Sequence, residues 1–136
     1  MELITQDQMK QLLKNGSKEH FHNDHFPVVR LHTPDDKLVW LITMANPKDH
    51  NMVAGFFNFG PGIPFEGKIE LDRINDLPNK IGMSFKADKS FVAEYPISVY
   101  IEKAFLEFVE NSKNITGSIW EHIEKQVQEH NKVQPQ

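Results

Sequence analysis

Histidine and aspartate side chains between positions 20 and 25 form the group most suited to metal chemistry. In an extended segment, the His-x-His spacing directs two imidazoles to one side, and imidazole and carboxylate groups are ligands of zinc and other divalent ions. The segment matches no dedicated zinc motif, so a polar surface loop is the alternative interpretation. A divalent metal ion is the one cofactor suggested, and its candidate ligands are His20, His22, Asp24 and His25.

A constrained turn over residues 58–71 is the second candidate site. It lies between two apolar runs and contains Gly60, Gly62, Gly67, Pro61 and Pro64. Glycines and prolines in this arrangement predict a shaped turn that joins two strands. The prolines lack N–H groups, and the residue after Lys68 is neither serine nor threonine, so the stretch does not match a phosphate-binding loop. It is therefore expected to be structural or to form an interaction surface.

Aromatic side chains are dense around this turn. With strand alternation, Phe57 and Phe59 lie on one face of a sheet and Phe56 lies on the other. These rings either fill a core or are exposed to a partner protein or to nucleotide bases. The candidate interaction residues are Trp40, Phe57, Phe59, Gly60, Gly62, Phe65 and Glu66.

The sequence offers little support for catalysis. The carboxylates of Asp35, Asp36, Glu66 and Glu70 have no spacing that forces two of them to converge, and no serine lies in a Gly-x-Ser-x-Gly motif. We therefore expect a protein that is not an enzyme. A metal-dependent or nucleotide-directed enzyme that uses the histidine segment 20–25 is the alternative function.

Composition indicates one ordinary soluble domain. The chain has 136 residues, of which 39% are hydrophobic and 25% are charged. It contains no cysteine, which excludes disulfides and thiolate metal sites. The net charge of -4 argues against a nonspecific nucleic-acid binder. The sequence has no signal-peptide pattern and no apolar run that would span a membrane, so we expect a cytoplasmic protein.

Helices are predicted at three places. A capping box predicts a helix over residues 5–15, a proline at the first position predicts one over 96–111, and a second capping box predicts one over 118–130. Each has apolar residues at helical spacing, and Phe105 belongs to the stripe of the second helix. Each helix therefore has one face to bury.

Apolar runs bounded by turn residues predict the strands. Pro34 suits the second position of the first turn, and Gly55 inside the third strand marks a bulge or the close approach of another backbone. One helical turn over residues 72–77 is expected to end at Pro78. The predicted strands are residues 28–33, 37–45, 52–59, 68–71 and 81–85.

These elements predict an α+β fold. The sheet has four to five mostly antiparallel strands, with an N-terminal helix and two C-terminal helices. We predict a single domain over residues 1–130, in which a sheet region (1–90) carries a packed helical extension (91–130). The tail 131–136 is expected to fray.

Spaced fragments in the sheet region carry a family resemblance. They are residues 24–34 (DHFPVVRLHTP), 40–43 (WLIT), 55–60 (GFFNFG), 64–67 (PFEG), 69–71 (IEL) and 85–89 (FKADK). With these fragments the chain resembles the DUF2958 domain, a small bacterial family of unknown function, over about residues 3–90.

The resemblance implies a genetic context. Such proteins are carried on plasmids, integrative elements and phages, often beside antirestriction or conjugation genes. It implies an accessory role in a mobile genetic element and no particular activity. Family members typically end soon after the last fragment, so the extension 91–130 is expected to serve partner binding or self-association.

The expected partner is a host protein. We expect the chain to bind and modulate a host protein such as a defence or nucleic-acid-processing complex. Direct binding of nucleic acid is a further alternative, and no membrane partner is expected.

Overall fold

The computed structural model describes residues 2–59 and 64–112, with only the backbone at Phe59. Its elements in chain order are α1 (Gln6–Asn15), β1 (Val29–His32), β2 (Leu38–Asn46), β3 (Asp49–Phe59), β4 (Phe65–Glu70), a 3-10 turn (Leu71–Arg73), α2 (Asp76–Asn79), β5 (Lys86–Ala87) and α3 (residues 97–112). The predicted helix over 118–130, the tail 131–136 and the turn residues Gly60 and Gly62 lie outside the described residues.

The sheet has five strands in the order β4-β3-β2-β1-β5, and every neighbouring pair is antiparallel. This arrangement confirms the predicted α+β fold. Consecutive strands β1 to β4 pair as a meander because only short stretches of chain separate them. Strand β5 then returns to pair with β1 at the other edge.

Helix α1 begins with the predicted capping box. The Thr5 side chain accepts a hydrogen bond from the Gln8 N–H, and the Gln8 side chain accepts one from the Thr5 N–H. Leu12 of the same helix is fully buried in the core on the face of the sheet that the helix covers. At the C-terminal end, the buried Asn15 side chain donates to the carbonyl of Thr43 in β2 at 2.9 Å. This bond fixes the helix to the middle of the sheet.

The turn between β1 and β2 also forms as predicted. The Asp36 N–H donates to the Thr33 carbonyl at 2.9 Å, which places Pro34 at the second position of the turn. Asp36 adopts a φ of 58°, a left-handed conformation that aspartate tolerates better than most residues.

Gly55 lies at a bulge between β2 and β3. The strand register shifts between Ile42 and Met44, which leaves Thr43 without an opposite residue in β3. A Cβ atom at Gly55 would collide with the carbonyl oxygen of Leu41. Both features that the sequence suggested for this glycine, the bulge and the close backbone approach, are therefore present.

The two faces of the sheet have separate cores. One face, called the α1 face, is covered by α1 and by the segment between β4 and β5. Its buried residues include Val29, Leu31, Trp40, Ile42, Phe57, Ile74 and Phe85. The other, called the α3 face, buries Leu41 and Phe56 against Ala104 of α3. Phe56 and Phe57 thus point to opposite faces, as alternation predicted.

Three local predictions were wrong. Residues 81–85 do not form a strand, because the Met83 N–H donates to the Pro78 carbonyl and the Phe85 N–H to the Asn75 side chain, and these bonds hold the segment in a turn. Pro78 does not end the helical turn but lies inside α2, where first-turn N–H groups need no partner in the helix. Phe105 is 40% exposed and does not join the buried stripe of α3.

Candidate functional site

An aromatic row crosses three strands on the α1 face. Trp40, Phe57 and Phe65 are directly opposite one another in β2, β3 and β4. Ring centroids lie 4.6 Å apart for Trp40–Phe57 and 5.5 Å apart for Phe57–Phe65. Aromatic pairs at such distances contribute about 0.5–1.5 kcal/mol beyond their burial. The exposure of the row increases toward the sheet edge, since Trp40 and Phe57 are buried and Phe65 is 45% exposed.

The row forms the floor of an open cavity of about 530 Å³, here called the aromatic groove. Leu77, which is 46% exposed, also lines it. Its rim carries both charges, including the Arg73–Asp76 ion pair with a nitrogen–oxygen distance of 3.3 Å. The lining residues are Trp40, Met52, Phe57, Phe65, Lys68, Ile69, Glu70, Arg73, Ile74, Asp76, Leu77 and Phe85.

Side-chain hydrogen bonds fix the segment between β4 and β5, which forms one wall of the aromatic groove. The Asp72 N–H donates to the Asn51 side chain at 3.1 Å, and the Asn51 amide donates back to the Asp72 carboxylate at 3.3 Å. The Phe85 N–H donates to the Asn75 side chain at 2.8 Å. Buried Ile74 anchors the same segment in the core. The wall is therefore built before any ligand arrives.

Strand β4 borders the groove and lies at one end of the strand order. Within the described residues it pairs with β3 alone, so its outer edge from Glu66 to Glu70 offers backbone N–H and C=O groups to another strand. Phe65, Glu66 and Lys68 are exposed, and the other three residues of the strand are partly buried. An open edge beside an apolar groove has the two parts that binding of an extended peptide requires.

The predicted interaction residues do not form one surface. Trp40 and Phe57 are largely core residues, with 4% of each side chain exposed, and only Phe65 extends to solvent beside them. Glu66 is paired with Phe56 and belongs to the α3 face. For Phe59, Gly60 and Gly62 no side-chain placement is described.

The predicted metal ligands are largely engaged elsewhere. Both oxygens of the Asp24 carboxylate accept hydrogen bonds from Ser98, at 3.1 Å from its N–H and 2.6 Å from its hydroxyl. The Nε2 atom of His25 lies 2.7 Å from the His20 carbonyl, and a carbonyl only accepts, so Nε2 carries a proton. Among residues 2–59 and 64–112, no group of three or more His, Asp and Glu is arranged to hold a metal ion.

The metal site nevertheless stays a prediction. Metal analysis of protein purified without a histidine tag, with a zinc titration of its melting temperature, tests it. Stoichiometric metal or a raised midpoint would support the prediction, and the absence of both would remove it.

A polar cluster at the β1–β5 edge is the feature that the sequence did not reveal. The Arg30 guanidinium contacts Asp88 at 3.2 Å and Asp36 at 3.4 Å, and His32 Nδ1 lies 3.0 Å from the Asp36 carboxylate. Arg30 and His32 are two positions apart in β1 and therefore lie on the same face of the strand, and this spacing could have been recognised in the sequence. The contribution of Asp88 depends on the pairing of β5 with β1, which no motif indicates.

Hydrogen bonds lower the pKa of two carboxyl groups near this cluster. The Ser90 hydroxyl is the main cause for Asp88, whose pKa is also lowered by the Ser90 N–H and the Arg30 charge. The pKa of Asp35 is lowered mainly by the Thr33 hydroxyl, which donates to it at 2.7 Å. Both groups are therefore carboxylates that brace turns and are not poised to take up protons near neutral pH.

The sheet, its helices and the aromatic row define a small α+β fold with an apolar groove beside the β4 end of the sheet. A family model described as "Protein of unknown function (DUF2958)" matches residues 3–107. The chain therefore belongs to the DUF2958 family. The match extends beyond residue 90, so most of α3 is part of the family region and is not an addition to it.

The other comparisons bring no relative. No curated protein and no solved structure matches the chain. In the part of the chain that the structure describes, no helix is both long and apolar enough to cross a membrane.

Proposed function

We propose that the protein is a non-enzymatic interaction protein that binds an extended segment of a partner protein along β4. The partner segment adds a strand to the open sheet edge and places an apolar side chain in the aromatic groove. The observation that carries this proposal is the position of the half-exposed Phe65, which belongs both to the edge strand and to the aromatic row. Strand addition gives affinity through backbone bonds, and a side-chain pocket gives specificity.

The groove suits an apolar or aromatic anchor in the partner segment. The buried Trp40–Phe57 pair lies at its floor, and the exposed apolar side chains of Leu77 and Phe65 also line it. Buried aromatic and aliphatic anchors supply most of the binding energy of protein interfaces. The mixed charges at the rim, Lys68 and Arg73 with Glu70 and Asp76, fit a partner segment with alternating charges beside its anchor.

The proposed partner is a host protein, in the setting of a mobile genetic element. A defence complex or a nucleic-acid-processing complex is the proposed type of target, with modulation of that complex, as in antirestriction, as the outcome. The resemblance alone supports this part of the proposal, whereas the groove and the open edge support the mode of binding.

Capture from host lysate with paired variants tests the proposal. Phe65→Ala and Leu77→Ala remove the two exposed apolar side chains that line the groove. Their matched controls are Phe26→Ala and Ile81→Ala, which remove side chains that are 51% and 61% exposed and do not line the groove. We expect a partner that wild type and both controls recover and that both groove variants lose, with all five proteins folded by circular dichroism.

Two results would contradict the proposal. One is that wild-type protein recovers no partner above background. The other is that the groove variants retain the partner as well as their controls do.

A further inference from the structure

A second cavity lies on the α3 face, on the other side of the sheet from the aromatic groove. It has a volume of about 390 Å³ and is bounded by the loop after α1, the bulge in β2, the middle of β3 and β4, and the start of α3. We propose that this cavity binds a nucleoside monophosphate. Lys68 lines both this cavity and the aromatic groove, but Phe21 and His22, the residues that test the inference, do not line the groove, so its failure can be distinguished from failure of the proposed protein partner.

The walls of the cavity are held by bonds between distant parts of the chain. Asp24 accepts from both the N–H and the hydroxyl of Ser98, and the His25 carbonyl accepts from the Ile97 N–H at 2.7 Å. These bonds join the loop to the first turn of α3. The His25 side chain is itself fixed on the His20 carbonyl. A ligand would therefore meet a preorganised wall, which reduces the entropy lost on binding.

The floor of the cavity is backbone. Gly55 and Gly67 are paired across β3 and β4, and both line the cavity. Ala54, the partner of Lys68 in the same sheet, is the small side chain that leaves the depression open. A planar ring packs well on such a flat surface, and the Phe21 ring, which is 55% exposed, stands at its side.

Polar side chains around the cavity have unused hydrogen-bonding capacity. Within residues 2–59 and 64–112, the side chains of His22, Asn23, Glu66 and Lys68 form no hydrogen bond or ion pair, although all four line the cavity. His25 contacts the His20 carbonyl through Nε2, and its Nδ1 forms no hydrogen bond within the same residues. The cavity thus combines a few convergent polar groups with apolar walls, as small-molecule sites do, and its volume lies in the usual range of about 300–1,000 Å³.

A nucleotide matches this set of groups. Its base is a planar ring for the floor and for stacking on Phe21. The Asn23 amide and the Glu66 carboxylate provide donors and acceptors for the polar edge of a base, and the Lys68 ammonium and the His22 imidazole suit a phosphate. A neutral apolar ligand would make use of none of these polar groups.

Titration of the full chain with AMP, GMP, CMP and UMP, followed by calorimetry, tests the proposal. The site variants are Phe21→Ala and His22→Ala. Their matched controls are Phe26→Ala and His50→Ala, which change exposed residues of the same types that do not line the cavity. We expect saturable binding of at least one mononucleotide. Phe21→Ala should raise Kd about tenfold, the size expected for loss of a stacking ring. His22→Ala, which removes a phosphate donor, should also raise Kd, and the controls should leave it unchanged.

Two further titrations distinguish binding of a mononucleotide from binding of phosphate alone or of single-stranded DNA. Inorganic phosphate alone and an eight-residue thymidine oligonucleotide are titrated in parallel. Hydrogen exchange at the Gly67 and Lys68 amides of wild type, measured with and without saturating mononucleotide, gives a readout that does not depend on variant folding, and we expect slower exchange. The proposal is overturned if no mononucleotide binds, if only the oligonucleotide or only phosphate binds, or if the site variants bind like their controls.

Discussion

Gly55 and Gly67 are opposite each other in the sheet, yet their missing side chains have different consequences. A Cβ at Gly55 would meet the backbone of β2, whereas a Cβ at Gly67 would meet only the edge of the Phe65 ring, at 3.2 Å from Cε2. Backbone atoms in the middle of a sheet cannot move to make room for a Cβ atom, whereas a half-exposed ring can rotate away from it. The sequence indicated that Gly55 lies at a bulge or close to another backbone. The structure identifies the Leu41 carbonyl as the group that leaves no room for a side chain at this position.

We predict that Gly55→Ala lowers the free energy of unfolding by about 1–3 kcal/mol, the usual cost of overpacking. Gly67→Ala, as the matched control, should be close to neutral because the Phe65 ring can move and alanine loses less backbone entropy on folding. Urea denaturation of the two variants measures both effects. Equal destabilisation by the two substitutions would contradict the explanation.

Thr33 links the first turn to the charge of Asp35. Its hydroxyl donates to Asp35 and accepts from the buried Leu38 N–H at 3.2 Å. Because the pKa of Asp35 is lowered in the folded state, this contact adds stability above the unfolded pKa of about 3.9, and that stability is lost as pH falls through the folded pKa.

We predict that Thr33→Val destabilises the protein at pH 7 by about 1–3 kcal/mol, chiefly because the buried Leu38 N–H loses its partner. The difference in the free energy of unfolding between wild type and the variant should be smaller at pH 3, because wild type is then losing the stability that Asp35 contributes. Urea denaturation at both pH values measures the difference. A gap of the same size at pH 7 and pH 3 would show that Asp35 does not contribute.

At the scale of elements, the start of α3 is held by residues that are far from it in the sequence. The pattern around residue 96 predicted where the helix begins, and it begins at residue 97. Its first N–H groups bind Asp24 and the His25 carbonyl, which are more than 70 positions earlier, since the Ser98–Asp24 bonds span 74 residues. No local pattern reveals such a cap, and for this reason Asp24 was interpreted as a metal ligand.

We predict that Asp24→Ala costs about 0.5–2 kcal/mol of stability, as loss of a helix cap does. Hydrogen exchange in the first turn of α3 should accelerate at the same time. Asn23→Ala is the control, because the neighbouring Asn23 side chain forms no hydrogen bond within the described residues. If Asp24→Ala leaves the exchange of residues 98–101 unchanged, the capping role is wrong.

The strands show a similar division between local and distant causes. The hairpin of β1 and β2 was predictable because alternation and the Pro34 turn agree. Strand β4 begins at Phe65, three positions before the alternation of Lys68 to Leu71 suggested, because edge pairing with β3 extends it. Strand β5 has only two residues and depends entirely on its partner β1.

For the whole molecule, the sequence predicted the layers of the fold better than the location of the site. Hydrophobic periodicity predicts which elements form, so the four strands β1 to β4 and the helices α1 and α3 were predictable from the sequence, whereas the fifth strand was not. The candidate interaction residues, by contrast, were grouped by closeness in sequence. Adjacent strand residues point to opposite faces, and Phe65 and Glu66 therefore belong to different surfaces.

The central claim is that β4 receives a partner strand beside the aromatic groove. Hydrogen exchange of the amides of Phe65–Glu70, measured with and without a partner recovered by the wild-type protein, tests it most directly. We predict that outward-facing amides of β4 become protected in the complex, while amides of β5 at the opposite edge exchange as before. A bound partner that leaves the exchange of β4 unchanged would contradict the account.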